Sequence, residues 1–240
     1  MHVKDKILLD RIGLEEHGPI NIVIFGDSIS HGAIVDIDYE NVYWNLLKRK
    51  LNAYRSYMPV NMINASIGGT NAMNSVKRME RDVFSHNPDL VIVCFGLNDV
   101  NLEFEQYLGP LEKIFARCNE FGCDAIFMSP NMLNTYVADD APAEYWEYAH
   151  KTAENQNGGR MDRYMYAAMD LARKMGITVC DCYSKWKELS KTQDITMLLA
   201  NRINHPNAEM HKLFADSLYE VIMGQAETAQ ENDSTMVQQK

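Results

Sequence analysis

The sequence predicts an α/β fold in which a parallel β-sheet carries helices on both faces. Two observations support this prediction. Short apolar runs alternate along the 240 residues with longer segments whose apolar residues recur at helical spacing. The run Leu90–Phe95 is apolar at every position, as expected for a central parallel strand covered on both faces. Because such strands are joined by right-handed crossovers through helices, the alternation predicts a single parallel sheet.

The individual elements follow from the position of turn residues and from the period of the apolar residues. Five short apolar runs that end in glycine or turn residues predict strands at about 21–25, 60–63, 90–95, 125–128 and 177–180. Apolar stripes predict helices at about 41–54, 72–84, 102–121 and 160–175, and a last helix that begins near Asn207. Residues 1–19 are expected to be a lead-in with one short helix. We expect one domain over 1–223 and a loose, disordered polar tail over 224–240.

Composition and charge exclude several classes of function. A formal net charge of −10 disfavours a nucleic-acid or anionic-membrane surface, and no apolar run reaches the length of a membrane helix. The N-terminus has charges within its apolar part and five cysteines are scattered along the chain, so we expect a cytoplasmic protein, with a previously removed signal peptide as the open alternative. No cluster of histidines and acids has metal-ligand spacing. We therefore expect no metal and no cofactor, and the oligomeric state stays open.

The loops after the first three strands contain polar and small residues suited to acyl transfer. These loops contain Gly26-Asp27-Ser28, the segment 64–70 and the segment 96–99. Since ligands bind beyond the carboxyl ends of parallel strands, the three loops are expected to meet at one edge of the sheet. Together they offer a hydroxyl group, flexible backbone N–H groups and an amide side chain, which suit a nucleophile and an oxyanion site. Taken alone, Asp27-Ser28 is equally well explained as a helix cap.

A candidate general base precedes the last helix. His205 lies in Asn204-His205-Pro206, and histidine is the usual general base near neutral pH. An isolated histidine at a helix entry is more often a capping or packing residue. Of the other histidines, His31 is close enough to Ser28 in sequence to line a pocket, His211 is expected to be a packing or surface residue, and His86 is expected at the far end of the sheet.

Four segments resemble, in order, the consensus blocks of the SGNH/GDSL hydrolase superfamily. The segments are Gly26–Ser30, Asn64–Thr70, Gly96–Asp99 and His205–Pro206. The resemblance extends over residues from about 20 to 222. It implies a three-layer α/β/α sandwich like that of flavodoxin, a serine nucleophile and the hydrolysis of carboxylic esters.

The resemblance also implies a role for each matching residue. Ser28 is implied as the nucleophile and His205 as the general base. The oxyanion hole is implied to consist of the Ser28 and Gly69 N–H groups and the Asn98 side-chain amide. Asp27 is implied to be structural, with its carboxylate holding the nucleophile loop in place.

One position departs from the family pattern. The family has an aspartate three residues before the histidine, where this chain has Arg202, which is always charged and cannot accept a hydrogen bond. Asp181 and Asp194 are candidates to replace it, and a backbone carbonyl in the turn 201–204 is closer in sequence. We therefore predict a Ser28–His205 dyad whose histidine is oriented by main chain, with a third side chain or loss of activity as alternatives. If Arg202 points inward, its charge lowers the pKa of His205.

The substrate is suggested only by the long segment 131–159. It carries several aromatic residues with polar atoms, namely Tyr136, Tyr145, Trp146 and Tyr148. Long segments of this kind are often binding loops, and such aromatics suit carbohydrates. Alternatively, they bury a short helix against the body. The predicted function is O-deacetylation of a carbohydrate or another small acyl ester. The alternatives are a lysophospholipase, a thioesterase, an acyltransferase, or a non-catalytic binding module with a degenerate site.

Overall fold

A five-stranded parallel sheet forms the centre of the molecule. The computed structural model describes residues 1–55 and 57–237, and side chains as far as residue 224. The strands are β1 (Ile20–Gly26), β2 (Val60–Asn64), β3 (Leu90–Cys94), β4 (Asp124–Met128) and β5 (Thr178–Cys180), in the order β2-β1-β3-β4-β5. Every residue of β3 is buried. The predicted α/β class and all five predicted strands are confirmed.

Helices cover both faces of the sheet and give the three-layer α/β/α sandwich. The helices are α1 (Val3–Leu8), α2 (Arg11–His17), α3 (Ser28–His31), α4 (Tyr43–Tyr54), α5 (Ala72–Val76), α6 (Met79–Asp82), α7 (Glu105–Phe121), α8 (Trp146–Asn157), α9 (Arg160–Lys174), α10 (Cys182–Leu189) and α11 (Ala208–Val237). Helices α1, α4 and α10 pack against α11, whereas α5 and α9 pack against α7. Short 3₁₀ turns lie at Phe84–His86, Asp99–Asn101, Ala143–Tyr145 and Thr196–Leu198.

The single helix predicted over 72–84 is divided in the structure. The N–H of Arg78 bonds to the carbonyl of Ser75, which tightens the chain and ends α5. The Arg78 guanidinium is buried and donates to the Ala65 carbonyl and to the Ser75 hydroxyl. An inward-pointing arginine thus replaces a regular helical turn, and the segment continues as α6 and a 3₁₀ turn.

The two ends of the chain also differ from the expected pattern. The lead-in contains two short helices, and a Lys6–Asp89 ion pair of 2.8 Å attaches α1 to the sheet. Helix α11 continues beyond Met223 into the segment predicted as a tail, and residues 238–240 lie outside the described residues. The single domain over 1–223 and the tail stay predictions. No helix in the described part of the chain is long and apolar enough to cross a membrane.

Candidate active site

The strand-to-helix turn after β1 holds Ser28 at the carboxyl edge of the sheet. Gly26 must be glycine, because a Cβ there would lie 2.5 Å from Ser30 Oγ and 2.6 Å from the Cys94 carbonyl oxygen. Asp27 is buried and accepts the Ile29 N–H at 3.1 Å, so its carboxylate braces the turn as predicted. Ser28 is the first residue of α3. The turn therefore fixes both the hydroxyl and the backbone N–H of Ser28.

The loop before α11 brings His205 to Ser28. His205 Nε2 lies 3.1 Å from Ser28 Oγ, although the two residues are 177 positions apart in sequence. A neutral imidazole with an unprotonated Nε2 accepts the hydroxyl hydrogen in this geometry. The pair has the spacing that a nucleophile and its general base require.

The backbone of Ile34 lies against the imidazole of His205. The ring hydrogen-bonds to this backbone, and this bond favours the protonated ring, as a carbonyl acceptor does. Because Nε2 faces Ser28, Nδ1 is the nitrogen left for Ile34. Two carbonyls of the 201–204 turn, where the sequence suggested an acceptor, receive other donors: that of Ile203 accepts the Asn134 N–H and that of Asn204 accepts the Asn131 side chain.

Arg202 points away from the imidazole and towards the 131–159 segment. Its Nε lies 3.1 and 3.0 Å from the two carboxylate oxygens of Asp140, and its Nη1 donates to the carbonyls of Met197 and Leu199. The pKa of His205 is lowered from its usual value, but the cause is burial, partly offset by the Ile34 hydrogen bond. The lowered pKa of His205 therefore comes from burial of the ring and not, as the sequence suggested, from an inward-pointing Arg202.

The acids considered as a third member have other partners. Asp181 caps α10 by accepting the Ser184 N–H at 2.9 Å. Asp194 accepts the Tyr136 hydroxyl at 2.7 Å and the Thr196 N–H at 3.0 Å. Within residues 1–55 and 57–224, no carboxylate hydrogen-bonds to the His205 ring.

The second and third loops place hydrogen-bond donors beside Ser28. Gly69 has a φ of 74°, a left-handed conformation that favours glycine. Asn98 Nδ2 donates to the Thr70 carbonyl at 2.8 Å, which fixes the amide and leaves its second N–H to donate to a ligand. Ser28, Gly69 and Asn98 line one cavity of about 600 Å³. His31 does not line it, and instead its Nδ1 accepts the Gly68 N–H at 3.3 Å and braces the loop.

The outer wall of this cavity comes from the long segment and from the loop after α3. Val35, Pro142, Tyr145 and Tyr148 line it, together with Asp140 and Arg202. Tyr145 is 55% exposed. Helix α8 instead buries Ala149, Thr152, Ala153 and Gln156. The segment 131–159 thus does both things that the sequence allowed: it packs a helix against the body and presents aromatic side chains at the cavity.

Two carboxyl groups are buried beneath the site. Asp99 is fully buried and accepts the Ala72 N–H at 2.8 Å, as Asp27 accepts that of Ile29. Burial raises the pKa of Asp27 to about 7 and that of Asp99 to about 7. Each carboxyl has one buried oxygen without a hydrogen-bond partner. The protonated form of each carboxyl is therefore well populated at neutral pH.

His211 is a packing residue, as predicted. Its ring stacks on Tyr43, and its Nδ1 accepts the Tyr43 N–H at the start of α4 at 3.2 Å. Burial lowers the pKa of His211 to about 4, so the ring is neutral at physiological pH. It supports the helix that packs against α11 and has no contact with Ser28.

Sequence reasoning missed two residues that shape the site, Ile34 and Asn201. Ile34 acts through its main chain, which leaves no side-chain signal in a sequence. Asn201 holds the loop of His205, and an Asn four residues before a candidate base was the only available clue. Among the described residues, no group of three or more His, Cys, Asp or Glu side chains is arranged to hold a metal ion.

The chain was compared with protein families, curated sequences and solved structures. Residues 24–213 match the GDSL-like lipase/acylhydrolase family. The comparison with curated proteins found no significant match. A lipase/acylhydrolase from Enterococcus faecalis is similar in structure at a TM-score of 0.65 and 22% identity, over 86% of this chain and 96% of that one.

Two of the similar solved structures are acetylxylan esterases. Axe2 from Geobacillus stearothermophilus matches at a TM-score of 0.67 and 19% identity, covering 85% of this chain and 94% of that one. The acetyl xylan esterase AlAXEase matches at a TM-score of 0.66 and 21% identity, covering 84% and 98%. At these identities the structures establish a shared fold, and the family match extends over most of the chain. This chain therefore belongs to the GDSL-like lipase/acylhydrolase family, a family of carboxylic ester hydrolases.

Proposed function

We propose that the chain hydrolyses carboxylic esters through an acyl-enzyme on Ser28, with an O-acetylated carbohydrate as the substrate. The observation that carries the proposal is the 3.1 Å contact between His205 Nε2 and Ser28 Oγ at a cavity that Gly69 and Asn98 also line. A nucleophile, a base and oxyanion donors thus face one space of about 600 Å³. This combination of groups supports acyl transfer as the reaction.

In the acylation step, Ser28 Oγ attacks the ester carbonyl carbon while His205 Nε2 takes the hydroxyl proton. The carbonyl oxygen becomes an oxyanion held by the Ser28 and Gly69 N–H groups and the Asn98 amide. His205 then gives its proton to the departing alcohol as the tetrahedral intermediate collapses. The Ile34 carbonyl accepts from Nδ1–H and stabilises the imidazolium that forms between these two transfers.

In the deacylation step, a water molecule replaces the alcohol. His205 removes a proton from this water, which attacks the acyl carbonyl carbon. The same donors hold the second oxyanion, and His205 returns the proton to Ser28 Oγ as the carboxylic acid leaves. The lowered pKa of His205 keeps the ring neutral, and therefore competent as a base, at neutral and mildly acidic pH.

The carbohydrate assignment has two supports. Exposed Tyr145 and the adjacent Pro142 and Val35 give the cavity mouth an apolar surface against which a sugar ring can stack. Two similar structures are described as acetylxylan esterases. The alcohol half of the ester is thus assigned to the open mouth of the cavity and the acyl half to the Ser28 end.

The test compares several esters with the wild type, Ser28→Ala and His205→Ala. We expect turnover of p-nitrophenyl acetate and release of acetate from acetylated xylo-oligosaccharides, with both activities lost in the two variants. Turnover of butyrate esters, lysophosphatidylcholine or an acyl-CoA above that of the acetylated sugars would reject the carbohydrate assignment. Equal trace activity in the wild type and Ser28→Ala would reject catalysis and favour a binding module.

A further inference from the structure

The loop that carries His205 is organised by one side chain, that of Asn201. Asn201 Oδ1 accepts the N–H groups of Ile203, Asn204 and His205 at 3.0, 3.0 and 2.9 Å. Its Nδ2 donates to Asn204 Oδ1 at 2.9 Å. A single carboxamide therefore replaces the backbone hydrogen bonds that a regular element would supply to three consecutive residues.

The loop needs such support because its backbone is irregular. Arg202 has a φ of 60°, a left-handed conformation that is uncommon for a residue with a side chain. Neighbouring segments hold the loop at several points: the Ala200 N–H donates to the His205 carbonyl at 2.7 Å, and Leu199 forms a β-bridge with Pro206. These contacts fix the ends of the loop. Within the loop, the Arg202 N–H donates to the Leu199 carbonyl at 3.1 Å, and Asn201 accepts the next three N–H groups, including that of His205.

We propose that Asn201 is the positioning residue of the general base, and that it compensates for the missing acid by holding His205 through the main chain. This inference rests on the proposed role of His205 as the base. In a triad, an aspartate orients the imidazole from its Nδ1 side. Here the backbone of Ile34 hydrogen-bonds to the ring, and Asn201 fixes the backbone from which the ring projects.

The experiment compares Asn201→Ala, Asn201→Asp and Asn207→Ala. Asn207 is the matched control because it is also an asparagine near His205, and its Oδ1 accepts a single backbone N–H, that of Met210 at the start of α11. We expect Asn201→Ala to lower kcat by about 10², the scale of a misplaced catalytic group, with little change in KM. Asn201→Asp keeps the acceptor oxygen and should restore most of kcat, whereas Asn207→Ala should keep wild-type kcat.

A second measurement reports on the loop independently of activity. Burial lowers the pKa of His205, so a loosened loop that exposes the ring should raise it. The NMR titration of the His205 ring should therefore move to higher pH in Asn201→Ala and stay unchanged in Asn207→Ala. Other charged or titratable side chains near the ring or at its cavity include His211, Tyr145, Tyr148 and the Arg202–Asp140 pair, and Asn201→Ala and Asn207→Ala leave all of them in place.

The outcomes separate this inference from the proposed function. A folded Asn201→Ala with wild-type kcat, or an Asn201→Asp as slow as Asn201→Ala, would overturn the positioning role. If Asn201→Ala does not fold, Asn201→Ser takes its place, because one hydroxyl group can satisfy fewer of the three N–H groups, and a kcat equal to that of Asn201→Asp would count against the role. Activity retained in Ser28→Ala would instead reject the proposed function, and the His205 titration would still test the loop.

Discussion

At the scale of single residues, Asn98 has its amide fixed on one side and free on the other. Its Nδ2 donates to the Thr70 carbonyl, which leaves one N–H for an oxyanion. Loss of one such donor typically costs roughly 10²–10³ in kcat. We expect Asn98→Ala to fold, to lose activity on this scale and to keep its KM for p-nitrophenyl acetate. A folded Asn98→Ala variant with near wild-type kcat would remove Asn98 from the mechanism.

The acids near the site provide a second prediction at this scale. Asp99, Asp181 and Asp194 each accept a backbone N–H elsewhere in the fold. Removal of the aspartate from a serine-protease triad costs about 10⁴ in kcat. We expect none of Asp99→Asn, Asp181→Asn and Asp194→Asn to lose activity on that scale in a folded enzyme. A loss of about 10⁴-fold in any one of them would identify a hidden third member and reject the dyad.

The sequence predicted the side chains of the site better than its main chain. The loops that carry Ser28, Gly69 and Asn98 follow strand ends, where parallel sheets gather their ligands, so periodicity and turns predicted these loops, whereas the resemblance implied the roles of Gly69 and Asn98. His205 needed the resemblance, because an isolated histidine carries little information. The role of Ile34 could not be predicted, because it contacts His205 through its backbone, which every residue has.

At the scale of elements, the Arg202–Asp140 pair joins the His205 loop to the 131–159 segment. Arg202 also donates to the carbonyls of Met197 and Leu199 within its own loop, whereas Asp140 makes only the pair and is largely exposed. We therefore expect Arg202→Met to lower the melting temperature and kcat more than Asp140→Asn does. Equal effects of the two variants on both quantities would show that the ion pair, rather than the carbonyl contacts, stabilises the loop.

The elements that sequence patterns missed are those formed by tertiary contacts. Helix α10 is eight residues long and depends on its Asp181 cap and on the fully buried Trp186, so it offers too short a period to detect. The break between α5 and α6 depends on the inward Arg78, although arginine normally favours continued helix. In both places a buried contact decided the local structure.

At the scale of the whole molecule, the buried carboxyls make stability depend on pH. Burial raises the folded pKa of Asp99 from its usual value of 3.8 to about 7, so its contribution to stability is fully present below pH 3.8 and is lost as pH rises through 7. Between pH 5 and 8 this loss of stability amounts to about 2–3 kcal/mol. We expect the free energy of unfolding of Asp99→Asn, minus that of wild type, to be larger at pH 8 than at pH 5. Denaturant unfolding of both proteins at the two pH values measures this difference.

The exposed Asp216 provides the control for this titration. Asp216→Asn removes a carboxylate that is paired with Lys50 at the surface rather than buried in the fold. An Asp99→Asn variant with no pH-dependent gain in stability would show that Asp99 is ionised in the folded protein at pH 5.

His211 affects stability in the opposite sense. Its folded pKa of about 4 means that its contribution to stability is present above about pH 6.5 and is lost as pH falls through 4.

The central claim is that Ser28 forms the acyl-enzyme, and trapping that intermediate tests it most directly. Wild type and Ser28→Ala are mixed with p-nitrophenyl acetate, quenched in acid during the first turnovers, digested and examined by mass spectrometry. We expect one acetyl group on the wild-type peptide that contains Ser28, at that residue, and none on the same peptide of Ser28→Ala. Turnover of the ester without acetylated Ser28, or acetylation at another side chain that persists in Ser28→Ala, would contradict it.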